Sequence, residues 1–167
     1  NLAVFPATPG FYVSINVAAQ HFNNMEIVDD IRKLWLPAQP SVSLMLELTE
    51  RTRLQELRAA EISQLKEMGI LLAIDDFGTG HSSLSYLKTL NPDVLKIDQA
   101  FTASIGTDAI NATVTDTIIT LAQRLNLKLI AEGVETREQV DYLRKRRVDS
   151  LQGYYFARPM PVEVFPV

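Results

Sequence analysis

Short apolar runs alternate along this chain with longer stretches whose apolar residues recur every three or four positions. Phe11 to Val17 reads as a strand. About Met25 to Leu36 reads as a helix, halted by Pro37 and Pro40. Leu44 to Leu48 is a second strand. Leu54 to Met68 is a helix, with apolar residues at 54, 57, 62, 65 and 68 and Gly69 as its stop. Ile70 to Ile74 is a strand, Ser82 to Leu90 a short helix before Pro92, and Val94 to Ile97 a strand. A long helix from about Ala109 to Leu125 follows, then a strand from Leu127 to Ala131. Thr136 to Arg146 reads as a helix, with Thr136 and Glu138 suited to its first turn, and Val148 to Leu151 as a short strand. This alternation predicts an α/β fold with a parallel sheet and helices outside it. An open doubly wound sheet and a closed barrel both satisfy it. No Gly-x-Gly-x-x-Gly follows the first strand, so a dinucleotide-binding fold has no support.

The residues at the strand ends carry the chemistry. In order they are Asn16, then Glu47 to Glu50, Asp75-Asp76, Lys96 to Asp98, Glu132 to Glu135, and Gln152-Gly153. In a parallel α/β protein all strand C-termini lie on one face, where ligands bind. Each residue alone has a structural reading: a turn for Asn16, first-turn acids for the Glu-x-x-Glu pairs, a capping loop for Asp75 to Gly80. Together they fit that reading poorly, because stability does not require acids at the same end of nearly every strand. Glu47, Asp75, Asp76 and Glu132 are hard oxygen donors, and Asn16 adds a carbonyl oxygen. Crowded carboxylates repel one another unless cations intervene. An oxygen-only donor set points to Mg²⁺ or Mn²⁺ rather than zinc. Adjacent Asp75 and Asp76 suit a pair of ions, an arrangement that activates water in phosphoryl displacement. Lys96 adds one positive charge that could orient or deprotonate that water, or steady a phosphate oxygen.

Composition narrows the field. The 167 residues include 16 Lys and Arg against 20 Asp and Glu, a net charge of −4, and 47% are hydrophobic. One globular domain is expected, without the broad basic face of a DNA- or RNA-binding protein. There is no cysteine and only His21 and His81, which removes thiolate chemistry and His-rich metal sites. No apolar run is long enough to span a bilayer. Asp76-Phe77-Gly78 matches a kinase triplet, but no phosphate loop or His-Arg-Asp accompanies it. Arg144 to Arg147 reads as a solvated helix end complementing the dipole.

Glu47-Leu48-Thr49-Glu50, Asp75-Asp76-Phe77-Gly78-Thr79-Gly80, Leu95-Lys96-Ile97-Asp98, Ala131-Glu132-Gly133-Val134-Glu135-Thr136 and Gln152-Gly153-Tyr154-Tyr155-Phe156 occur in one order and spacing. In both respects the chain resembles the EAL domain, a family of bacterial cyclic di-GMP phosphodiesterases, over essentially its whole length. The resemblance implies a (β/α)8 TIM-like barrel, with about six βα units in residues 1–167 and the first one or two strands upstream. It implies two Mg²⁺ or Mn²⁺ ions and hydrolysis of cyclic di-GMP to linear pGpG.

By position, Asn16, Glu47, Asp75, Asp76 and Glu132 resemble metal ligands. Lys96, Glu132 and Gln152 resemble the catalytic group, with Lys96 activating or orienting water. Glu50 resembles the brace of the 77–87 loop, which in this family often serves dimerisation. Asp98 and Glu135 resemble supporting residues, and Arg158 resembles a substrate contact. The Glu-Ala-Leu triplet that names the family is absent and is expected upstream of Asn1. A chain truly without it is expected to bind metal weakly and to hydrolyse little.

The expected partners are cyclic di-GMP, a second copy through the 77–87 loop, and an upstream sensor or membrane segment. No DNA or RNA is expected. The expected location is the cytoplasm, free or as the cytoplasmic part of an inner-membrane-anchored protein. Two other readings compete: a non-hydrolysing receptor or protein-interaction module, and an unrelated metal-dependent barrel enzyme. Every expected position downstream of Asn1 is filled, which favours the phosphodiesterase.

Overall fold

A computed structural model describes residues 10–18, 21, 25–38, 42–49, 58–79, 84–106, 110–161 and 164. Six parallel strands follow the chain as β1 (Tyr12–Asn16), β2 (Ser43–Thr49), β3 (Leu71–Phe77), β4 (Val94–Ile97), β5 (Lys128–Ala131) and β6 (Ser150–Leu151). Each strand pairs with the next in sequence, giving the order β1-β2-β3-β4-β5-β6. A doubly wound sheet would reverse direction midway. The unbroken order decides for part of a TIM-like barrel.

The helices are α1 (Glu26–Asp30), α2 (Ala59–Glu67), α3 (Leu84–Leu90), α4 (Gln99–Thr102), α5 (Ile110–Arg124) and α6 (Arg137–Lys145). The expected first helix loosens into a π-helical turn at Ile31–Trp35 and tightens to a 3-10 turn at Leu36–Ala38, so it is one irregular element. The short α4 was not expected. Asp98 nucleates it by accepting a hydrogen bond from the Ala100 amide at 2.8 Å. Thr136 caps α6 in a reciprocal pair with Gln139, as its first-turn reading requires. Residues 54–57 of the expected second helix and 82–83 of the third lie outside the described residues. Among the described residues no helix is long and apolar enough to cross a membrane.

The two faces of the sheet differ. Leu44, Leu46, Leu48, Leu72, Ile74, Leu95, Ile97, Leu129 and Ala131 point outward into the main core under the helices. The alternate residues Met45, Ala73, Val94 and Ile130 form a smaller inner cluster with Tyr12 and Leu71. Side chains alternate along a strand. The inner residues two positions further on are therefore Glu47, Asp75, Lys96 and Glu132. An apolar layer thus sits directly beneath a charged rim, and the outer apolar face fixes the register that keeps them stacked.

Two aspartates bind the opposite ends of neighbouring strands together. Asp93, just before β4, accepts from the Leu72 amide at 2.9 Å, and Asp149, just before β6, accepts from the Leu129 amide at 2.8 Å. Each carboxylate satisfies an amide on the preceding strand. Replacing Asp93 or Asp149 with alanine should lower stability by about 1–3 kcal/mol each, measured by urea unfolding. Equal midpoints for wild type and both variants would show that water replaces these bonds at no cost.

Candidate active site

The third strand places the two adjacent aspartates. It does not stop at Ile74 as expected but continues to Phe77, with a register shift between Ile74 and Phe77. In a regular strand Asp75 and Asp76 would face opposite sides. Here Asp76 takes a left-handed φ of 54°, and its amide donates to Asp75 Oδ1 at 3.0 Å. The extra residue returns Phe77 to the outer core opposite Ile97 and leaves both carboxylates at the inner rim. Thr79 secures the bend by donating its amide and hydroxyl to the Asp76 carbonyl at 3.2 and 2.9 Å. Aspartate is among the few side chains that tolerate this backbone region.

At the centre lies the Lys96 ammonium, its side chain only 4% exposed. It reaches Glu47 Oε2 at 2.6 Å, Glu132 Oε1 at 2.7 Å and Asp75 Oδ1 at 3.1 Å. The three acids come from β2, β3 and the end of β5, so one cation ties three strands at a single level. Burial alone would push the amine toward neutrality. Hydrogen bonds to Glu132 and Glu47 overcome this and hold its pKa above the ordinary lysine value. Glu132 has its pKa raised by burial, against the pull of Lys96. Asp76 is raised by burial and then by the neighbouring Asp75 and Asp98 carboxylates.

One ligand oxygen from each of Asp75, Asp76 and Glu132 lies within 4.8 Å of the others, a spacing that could hold a metal ion. Four carboxylates, those of Glu47, Asp75, Asp76 and Glu132, face one ammonium. This excess of negative charge on hard oxygen donors fits divalent cations.

The remaining expected residues are less uniformly placed. Asn16 is opposite Glu47 in the β1–β2 register, on the same inner face, but is exposed on an edge strand. Gln152 pairs its backbone with Ala131 and Val134 and helps line a recess of about 240 Å³ with Glu132 and Glu135. Asp98 caps α4 and stands beside Asp76. Arg158 holds its guanidinium 4.5 Å above the Tyr154 ring, and Tyr154 lines the same recess. Glu50, His81 and residues 80–83 of the 77–87 loop lie outside the described residues.

Gln99 and Tyr154 also line the recess. The sequence marks no site role for Gln99, or for Tyr154 beyond its place in the Gln152–Phe156 motif, because nothing local marks a residue that faces another strand's loop. Gly133 makes this contact feasible. Its φ is +64°, and a β-carbon there would come within 2.5 Å of Gln99 Cβ.

The family model described as EAL domain matches residues 2–159. The chain is 53% identical over 163 residues to the probable cyclic di-GMP phosphodiesterase PdeD of Escherichia coli K12, covering 98% of this chain and 31% of that protein. It thus spans about a third of the length of the first curated relatives it matches. The solved PaMucR phosphodiesterase in its c-di-GMP complex superposes with a TM-score of 0.79 at 39% identity, over 91% of this chain and 63% of that one. Klebsiella pneumoniae BlrP1, solved as a manganese/cy-diGMP complex, gives 0.77 at 27% identity, over 89% and 39%. By sequence and by fold, the chain belongs to the EAL domain family.

Proposed function

We propose that this chain is the catalytic part of a phosphodiesterase that hydrolyses cyclic di-GMP to linear 5′-pGpG with two Mg²⁺ or Mn²⁺ ions. The observation that carries the reading is the rim itself: four carboxylates gathered from three strands around one buried ammonium. Relatives named cyclic di-GMP phosphodiesterases, and solved relatives holding that dinucleotide, supply the substrate.

In this reading Asn16, Glu47, Asp75, Asp76 and Glu132 hold the ions. Bound there, the cations supply the positive charge that acidifies a water and offsets charge on the phosphoryl oxygens. Lys96, fixed by its carboxylate neighbours, donates hydrogen bonds that orient the attacking water or a phosphate oxygen. The water oxygen forms a bond to phosphorus, and the bond from phosphorus to the 3′ oxygen breaks. Glu132, at the edge of the recess, accepts the water's proton, and the departing 3′ oxygen takes up one proton from solvent water. Gln152 positions the water beside Glu132. Asp98 steadies Asp76, Glu135 supports the rim beside Glu132, and Glu50, outside the described residues, is assigned a supporting role. Arg158 and Tyr154 form a cationic and aromatic wall suited to a phosphate and a base.

An isosteric substitution that removes the carboxylate charge isolates the metal role. Asp75→Asn should lower turnover by ~10³-fold or more, with the far-ultraviolet spectrum intact. Asp76→Asn should weaken Mn²⁺ binding, read as a smaller rise in melting temperature when Mn²⁺ is titrated in. Turnover surviving at the wild-type level in Asp75→Asn would remove that residue from the mechanism.

Lys96→Ala separates orientation from binding. It should cut kcat by ~10²-fold or more while KM moves far less. The metal-free variant should also melt earlier, because buried Glu47 and Asp75 and half-buried Glu132 lose their shared counter-charge. A rise in KM with kcat preserved would assign Lys96 to substrate binding instead.

A further inference from the structure

The basic run Arg144 to Arg147 plays no part in this chemistry. It lies where α6 ends, beside the N-terminal ends of the strands and away from the carboxylate rim. Three helices, α2, α5 and α6, close in the same way. The first residue past the helix end region takes a left-handed φ: Gly69 at 77°, Asn126 at 56° and Arg147 at 60°. The next amide then reaches back to the helix, from Ile70 to the Leu65 carbonyl at 3.0 Å, from Leu127 to Ala122 at 2.9 Å and from Val148 to Leu143 at 3.2 Å. Glycine and asparagine tolerate this backbone. Arginine does so at a cost on the order of 1 kcal/mol. Arg144 and Lys145 already answer the dipole in the last turn of α6, so Arg147 is not needed for that. The fold would be better served by Asn or Gly at position 147, so what the arginine side chain does there has to be sought in its surroundings.

Arg147, Lys145 and Arg146 line a recess of about 450 Å³ between the ends of α5 and α6, facing Asp116, Thr120 and Gln123. Asp116 is the only acid on its wall, and it is already matched. Arg146 grips it through Nε at 2.6 Å and Nη2 at 3.2 Å, and the Tyr142 hydroxyl donates to it at 2.6 Å. Arg146 holds the Asp116 carboxyl below the usual aspartate range. The Arg146 guanidinium also stacks 3.5 Å over the Tyr142 ring, which supports it from behind the recess. Lys145 and Arg147 are exposed and have no ion pair among the described residues. The result is a concave, net positive site on a chain whose overall charge is −4.

We propose that this recess binds a soluble, phosphate-bearing small molecule. Lys145 and Arg147 take its phosphate oxygens, and the paired Arg146 and Asp116, held by Tyr142, form the wall between them. The volume falls within the ~300–1,000 Å³ of small-molecule sites. A lipid surface would need its cations on a protruding face, whereas these flank a hollow. The site does not overlap the catalytic rim, so its occupant does not compete with substrate. Because α5 and α6 lead into β5 and β6, and so to Glu132 and Gln152, the recess is placed to act as a regulatory site.

Inorganic pyrophosphate is the probe, titrated calorimetrically into the intact chain in chelator-containing buffer without divalent cations. The expected result is saturable binding that sulfate at matched ionic strength does not reproduce. Arg147→Asn and Lys145→Ala should each weaken it by ~10-fold, the loss of one charge-assisted contact. Arg147→Asn should at the same time hold or raise the melting temperature, by up to about 2–4 °C, because it relieves the backbone. A purely structural Arg147 would not produce that opposition. The proposal is overturned by absent or sulfate-equivalent binding, or by wild-type affinity in both variants. It is also overturned if anionic phospholipid vesicles bind the chain and pyrophosphate does not.

Discussion

Like charges packed on one face of a fold repel one another, and the Lys96 ammonium is what makes that packing tolerable here. It sits within 3.1 Å of acids from three different chain segments and is almost wholly buried. Removing water strengthens each of these attractions and raises the cost of leaving any of them unmet. One lysine cannot balance four carboxylates. The residual negative charge is the physical basis for a cation site, while burial first, and the neighbouring carboxylates second, make Glu132 and Asp76 resist ionisation more than isolated acids do. The same imbalance that would weaken the metal-free protein gives it affinity for divalent ions.

The scaffold that holds this cluster is a division of labour between the two faces of one sheet. Outward-facing leucines and isoleucines bind the strands to the helices and set the register. Inward-facing residues first build an apolar floor and then, two residues on, the charged rim. Both depend on the same alternation, so a slip of one residue would bury the acids under the helices and expose the leucines. The strong outer core makes such a slip very costly. The precision of the site is therefore secured from the side of the sheet that carries no chemistry.

The two ends of the strands have opposite character. The C-terminal rim concentrates negative charge and accepts local strain at Asp76. At the N-terminal ends, Asp93 and Asp149 bond neighbouring strands together. There too the α5–α6 recess gathers positive charge, with Arg147 in a backbone state that glycine or asparagine would adopt more readily. Asp76 and Arg147 both carry their left-handed backbone where charge is concentrated, whereas Met25, at φ 64°, carries it against the packed core.

Much of this was legible in the amino-acid sequence because strands and helices have different hydrophobic periods and parallel strands share one polarity. Those facts suffice to order the elements, to predict that Glu47, Asp75, Lys96 and Glu132 meet, and to suggest hard cations as their partners. Periodicity by itself leaves a barrel and a doubly wound sheet open; the ordered motifs implied the barrel, and the pairing order of the strands bears it out. Other features belonged to the tertiary structure alone. A strand pattern cannot show that Asp75 and Asp76 face the same way, because that takes a register shift fixed by Phe77 packing against the helices. Neither could the sequence set Gln99 beside Gly133 or hollow a basic recess behind Arg147. Those contacts join segments whose separation along the chain carries no local signal, and only packing brings them together.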